Sequence, residues 1–174
     1  MPKSITLGIT RSRIYLPMGA MILMAALAIP AAAQNQVPFK GTIQGQDTDK
    51  GFTSPGMFLV ETNGTGTGIL LGRFTFTLET SLNVANSTDT GVAHFKAANG
   101  DTIDATYTSV MPAEVTPTPD GVVFSIKEVY TITGGTGRFA GAQGSFLMER
   151  VADPQRFMTF GSFQGNITPP GAVK

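Results

Sequence analysis

From residue 37 onward, short runs of β-branched, aromatic and aliphatic residues alternate with clusters of Gly, Pro, Asn, Asp and Thr. No window sustains the i, i+3, i+4, i+7 apolar spacing of a helix. Strands are predicted over residues 37–46, 57–62, 66–78, 90–97, 102–110, 121–133, 143–151 and 157–167. Turn signals separate them: Asp47-Thr48-Asp49-Lys50-Gly51, then Asn63-Gly64, then Asn99-Gly100, the last a two-residue type I′ hairpin signal. Residues 66–78 read either as two strands or as one strand bulged at Gly72. Pro112, Pro117 and Pro119 mark a loop that holds at most a short edge strand. The class is all-β, with about eight strands.

Facing along the strands separates a sandwich from a barrel. Within 122–132 one face reads Val122, Phe124, Ile126, Glu128, Tyr130, Ile132, and the other reads Val123, Ser125, Lys127, Val129, Thr131. Residues 157–167 split in the same mixed way, with Phe157 and Phe163 on one face and Met158 and Phe160 on the other. Strands apolar on both faces fit a closed antiparallel barrel with a filled lumen and an outer wall that packs on loops or another subunit. The chain has no Trp and no Cys, so the Cys-Trp-Cys pattern of antibody-type sandwiches is missing.

Between two late strands, 121–133 and 143–151, lies Ile132-Thr-Gly-Gly-Thr-Gly-Arg-Phe-Ala-Gly-Ala-Gln-Gly-Ser145, with glycines at Gly134, Gly135, Gly137, Gly141 and Gly144 around Phe139. Glycine reaches positive φ and lets other backbone approach closely, so this cluster encodes a specific corner. The stretch resembles the G-G-(S/T)-G-x-F-x-x-A-x-G turn of the allene oxide cyclase and dirigent-like barrel superfamily. Phe39-Lys-Gly-Thr42, Asn99-Gly-Asp101 and Phe163-Gln-Gly-Asn-Ile167 are compatible with the same resemblance. It implies an eight-stranded antiparallel barrel, an interior cavity and, by analogy with the plant proteins, a homotrimer. The superfamily's cyclases fold a bound fatty-acid epoxide so that it closes stereoselectively, and its dirigent proteins orient radical coupling. Their active-site residues lie outside the glycine turn and no matching motif occurs here, so the resemblance carries the fold and not the activity.

The first 33 residues have a different character. Lys3, Arg11 and Arg13 precede an apolar run of about sixteen residues, and Ala31-Ala-Ala33 follows as an A-x-A site. This predicts a cleavable signal peptide over 1–33, a barrel domain over 34–168 and a loose tail over 169–174, with the mature chain secreted or periplasmic. The apolar run contains Pro17 and falls short of the roughly 20 residues needed to span a bilayer, so no membrane anchor is expected after cleavage. Beyond Ala33 nine basic residues face twelve acidic ones, a net charge of −3. A basic stripe that could track phosphates is missing, which argues against a nucleic-acid partner. The lack of cysteine excludes disulfides, thiolate metal sites, cysteine nucleophiles and a lipidated cysteine. Three sequons, at Asn63, Asn86 and Asn166, carry meaning only in a eukaryotic host.

Candidate chemistry is sparse. Gly135-x-Gly137-x-x-Ala140 satisfies a dinucleotide fingerprint formally, but Gly141 and Gly144 interrupt and a strand follows where the phosphate-binding helix must stand, so no cofactor is expected. His94, the lone histidine, shares a face with Val92 and Lys96 and reads as a surface residue. Asp47-x-Asp49 before Gly51 lacks the further ligands of a calcium loop, and no metal is expected. Arg138 reads as a surface or strand-tying residue. A Ser-His-Asp set has no context here. The carboxylate that stands out is Glu128, between Ile126 and Tyr130 on the apolar face of its strand. A buried Glu128 with Tyr130 donating to it is a candidate acid/base or ligand-orienting pair; the structural alternative pairs Glu128 with Arg150, Arg73 or Lys96. Two functions remain open on the sequence: a non-catalytic binding or scaffold module for an apolar, lipid-like molecule or a partner chain, and a cofactor-free isomerase or cyclase working in the barrel cavity.

Overall fold

The computed structural model describes residues 36–171; the predicted signal peptide and its cleavage site lie outside the described residues. Among the described residues nine strands occur in chain order: β1 (Val37–Ser54), β2 (Met57–Gly68), β3 (Gly72–Asn83), β4 (Thr88–Ala97), β5 (Thr102–Ser109), β6 (Glu114–Thr118), β7 (Gly121–Gly135), β8 (Gly144–Asp153) and β9 (Met158–Ile167). All pairings are antiparallel, in the order β5-β4-β3-β2-β1-β9-β8-β7, and the pairing of β5 with β7 closes a ring of eight. β6 stands outside the ring and pairs only with the first residues of β7, as the short edge strand expected in the proline-rich segment. The barrel predicted from strand facing is therefore present. It also removes the free edges that an open sheet would expose.

Three local expectations change. Asp47–Gly51 is not a turn: β1 continues through it, with register shifts between Asp49 and Gly51 and between Phe52 and Ser54. Gly51, at φ 91°, takes up the extra residue as a bulge, and Thr62 on β2 donates to the Asp47 carboxylate at 2.6 Å. Asn63-Gly64 lies inside β2, where the Asn63 carbonyl accepts from Thr77 and its amide donates to Glu61. Residues 66–78 form two strands, the first of the two readings given above, with the break at 69–71 beside Leu70 (φ 76°) and Gly72 (φ 68°). Asn99-Gly100 does not make a type I′ turn, which needs positive φ at both residues: only Gly100 is left-handed, within a three-residue loop closed by the Ala97 N–H on the Asp101 carbonyl.

Side chains of alternate parity fill the lumen. Phe39, Phe74, Phe76, Phe95, Phe146 and Phe163 are all buried, with ring centroids 5.0–6.5 Å apart, mostly tilted or edge-on. Tyr107, Tyr130 and Phe146 form a parallel stack with centroid spacings of 4.5 and 4.6 Å. Gly91 makes room for it: a Cβ there would lie 2.4 Å from the Tyr107 ring.

The glycine corner closes one end of this barrel. After β7 the chain makes a single 3₁₀ turn, Gly137–Phe139, and drops Phe139 and Ala142 into the core. The Thr136 N–H donates to the Thr102 carbonyl, and Arg138 pairs with Asp101 at 3.1 Å, tying the corner to β5. At Gly135 a Cβ would lie 2.2 Å from the Thr102 carbonyl oxygen, so only glycine fits. Residues 169–171 lie against the corner, with the Gly171 N–H donating to the Arg138 carbonyl.

Candidate functional site

The opposite end of the barrel is built differently. Here the inward positions turn polar: Thr80 follows Phe74, Phe76 and Leu78 on β3, Asp89 precedes Gly91 and Ala93 on β4, Glu128 precedes Tyr130 on β7, and Arg150 follows Phe146 and Met148 on β8. Period-two alternation carries each of them into the lumen, where all four are buried.

Arg150 is the hub. Its Nε donates to both Glu128 carboxylate oxygens at 3.1 Å and its Nη2 to Oε1 at 2.7 Å, with a longer contact from Nη2 to Asp89 Oδ2 at 3.4 Å. The Tyr130 hydroxyl donates to Glu128 Oε2 at 3.1 Å. Ser109 Oγ donates to Asp89 Oδ1 at 2.5 Å and accepts from the Asp89 N–H, while Thr80 and Tyr107 share a hydrogen bond of 2.6 Å. Among the described residues, no buried side-chain nitrogen or oxygen lacks a partner.

Burial and the Glu128–Arg150 pairing shape the electrostatics of the cluster. Glu128 is wholly buried against a bidentate guanidinium, the geometry in which a buried charge pair persists. For Arg150 burial is the largest influence and works against its charge, but the Glu128 charge and hydrogen bonds outweigh it, and the guanidinium is held well above its usual value. Burial and then the Glu128 charge push the Tyr130 hydroxyl far up, and the same two causes raise Tyr107. Asp89 is the group left poised: burial first, then the nearby Glu128 carboxylate, raise it to about 6 against the opposing pull of Ser109 and Arg150.

Above this cluster the barrel is hollow. A cavity of about 370 Å³ opens at the mouth, with Phe58, Val60, Leu82, Phe124, Ile126 and Ala152 in its walls. Thr80, Asp89 and Arg150 also line it, as do Asp47 and Asp49 from β1. Ser87 and Phe157 border the cavity as well, and among the described residues they are two of the three non-glycine residues at positive φ (54° and 52°). Strained backbone of this kind persists where surrounding structure over-determines it, and it clusters at ligand sites. Broader depressions on the outer wall, near Thr67 and Arg73, lie over exposed strand faces.

The sequence-predicted residues therefore fall in three places. Glu128 and Tyr130 come together as expected, inside the lumen, and Arg150 is the partner of Glu128; neither Glu128 nor Tyr130 lines the cavity. His94 is on the outer wall, 2.6 Å from Asp104. Gly134, Gly135, Gly137, Phe139, Gly141 and Gly144 form the opposite end, roughly 20 Å from Glu128 along β7 at ~3.3 Å per residue. Asp89, Thr80 and Ser109 were missed. Their signal was parity: extending the predicted strands 66–78 and 90–97 by two residues and one residue places Thr80 and Asp89 on the face of Phe76 and Phe95.

Fold and site together define a closed antiparallel β-barrel with a buried ionic cluster beneath a mouth cavity. No protein-family model matches the chain, and no curated protein or solved structure matches it.

Proposed function

We propose that the mature chain is an exported, non-catalytic binding module that holds a small apolar molecule in the mouth cavity. The observation that carries this reading is the contrast between the two halves of one lumen. The half near the glycine corner is packed solid with aromatic rings, whereas the half near β6 leaves about 370 Å³ open between apolar walls and a polar floor. Ligand sites combine such walls with a few convergent polar groups that orient the bound molecule, and the mouth of a barrel is a common place for them. At ~30 Å³ per water-sized group, that space admits about a dozen non-hydrogen atoms. The resemblance of the glycine corner to the allene oxide cyclase and dirigent-like superfamily supports the same reading, since those barrels also act through a cavity. It extends the proposal to a homotrimer, for which the exposed Val92, Val129 and Phe160 on the outer wall supply apolar surface.

Native mass spectrometry of protein purified from its own host tests this directly. A co-purifying apolar molecule is expected, and it should be lost in Ile126→Trp, which fills the cavity. Bare protein that also binds no 1-octanol in calorimetry overturns the reading.

A second reading, cofactor-free isomerisation, is favoured by one specific observation: Asp89 lines the cavity with its pKa raised to about 6, near neutral pH, as a general acid or base needs. The role suggested by the sequence for Glu128 and Tyr130 then passes to Asp89, because Glu128 is occupied by Arg150. The test is the stereochemistry of ring closure of an unsaturated fatty epoxide in the presence of the chain. Enantiomeric excess that disappears in Asp89→Asn supports turnover; a racemic product with the wild type removes it.

A further inference from the structure

Charge around the mouth cavity selects the head group of its ligand, and this inference rests on the binding reading above. Among the described residues lining the cavity, Arg150 is the one cation; its Nε and Nη2 are engaged with Glu128, and Nη2 makes only a longer 3.4 Å contact to Asp89. Three carboxylates, Asp47, Asp49 and Asp89, line the same space. Asp89 lies deepest of them and is 5% exposed, while Asp47 accepts from Thr62 and Asp49 is exposed at the rim. Glu128 and Arg150 cancel, so an ionised Asp89 leaves the floor with a net negative charge. An entering carboxylate would meet that charge in a space poor in water, whereas a cation would complete it.

We propose that the cavity binds an amphiphile with a short apolar tail and a cationic, hydrogen-bond-donating head, an alkyl amine in its simplest form, with the head seated on the Asp89 carboxylate. The tail lies between Phe58, Leu82, Phe124 and Ile126, and the head displaces water from the floor. Charge complementarity with Asp89, and not the Arg150 guanidinium, decides the preference.

The seat is pH-dependent. The groups facing Asp89 are Tyr107 from β5, Glu128 and Tyr130 from β7, Arg150 from β8, and Asp47 and Asp49 across the cavity from β1. Tyr107 and Tyr130 stay protonated and Arg150 stays charged through the neutral range, while Asp89 is raised to about 6. As pH falls through that value the carboxylate is neutralised and the cation loses its seat.

Isothermal titration of the full mature chain with octylamine, 1-octanol and octanoate tests the inference, since the three share one tail. At pH 7.5 octylamine is expected to bind about tenfold more tightly than octanoate, the size of one charge-assisted hydrogen bond. The octylamine-to-octanol affinity ratio should fall toward one at pH 5, and likewise in Asp89→Asn at pH 7.5, with circular dichroism confirming the fold. Equal binding of all three overturns the head-group inference and leaves the cavity reading standing. Tighter binding of octanoate overturns it in favour of Arg150 as the anchor. Failure of all three ligands to bind overturns both.

Discussion

Arg150 reaches from β8 to Glu128 on β7, where its Nη2 lies 2.7 Å from Oε1, both side chains wholly inside the barrel. Their strands are adjacent, with Arg150 opposite Ile126 in the register and Glu128 opposite Met148, so the pair crosses diagonally on one face. Such a pair specifies position more than it adds stability, because removing two charges from water costs nearly what their attraction returns. Removing one partner is another matter.

Arg150→Met is expected to destabilise the barrel by about 3–5 kcal/mol, since it strands a fully buried carboxylate. Replacing both, as Glu128→Leu with Arg150→Met, should recover at least about 1 kcal/mol of that loss. Urea unfolding midpoints of the two variants give the comparison. A double variant less stable than the single would mean that the pair is a net source of stability.

Asp89 sets a pH signature of the opposite sign to a salt-bridged acid. Its folded-state pKa, about 6, lies above its ordinary 3.8, so its favourable contribution is complete below about pH 4 and is lost as pH rises through 6. Relative to wild type, Asp89→Asn should therefore gain stability between pH 4 and 7.5, by roughly 2 kcal/mol. Thermal unfolding of both proteins across that range measures it; a constant difference would place Asp89 in an ordinary solvated state.

The glycine corner is expected to behave as a fold element. Gly135→Val should abolish folding, because even a Cβ would meet the Thr102 carbonyl oxygen at 2.2 Å. Gly137→Val should do the same: its φ is 59°, and a Cβ would fall on the Asp101 carboxylate. Gly134→Ala should be tolerated within about 1 kcal/mol, since nothing lies within 4 Å of a Cβ there. Soluble yield and circular dichroism distinguish the three. A Gly135→Val protein that folds but binds no ligand would assign the corner a functional role instead.

How far the sequence could be read follows from which signals are local. Strand facing in β7 was legible because Phe124, Ile126, Glu128, Tyr130 and Ile132 alternate without interruption, and the structure keeps that alternation. The Glu128–Arg150 pair was legible as one of three possible partners, but the choice among Arg150, Arg73 and Lys96 depends on strand order and register. Asp89 was hidden by its company. It sits in Asn-Ser-Thr-Asp-Thr, a composition that reads as turn, and only pairing with β3 extends β4 back to Thr88. Asp47–Gly51 misled for the same reason: five turn-forming residues are absorbed as a bulge once β2 lies alongside. The cavity had no signal along the chain, because its lining comes from β1, β2, β3, β4, β7 and β8 at once.

The most direct test is an amide and methyl NMR titration of the mature chain with 1-octanol, whose neutral head isolates binding from charge. Saturable shifts are expected at Phe58, Val60, Leu82, Phe124, Ile126 and Ala152, with residues 134–144 at the far end silent. No saturable shifts, or shifts centred on the outer wall around Thr67 and Arg73, would contradict it.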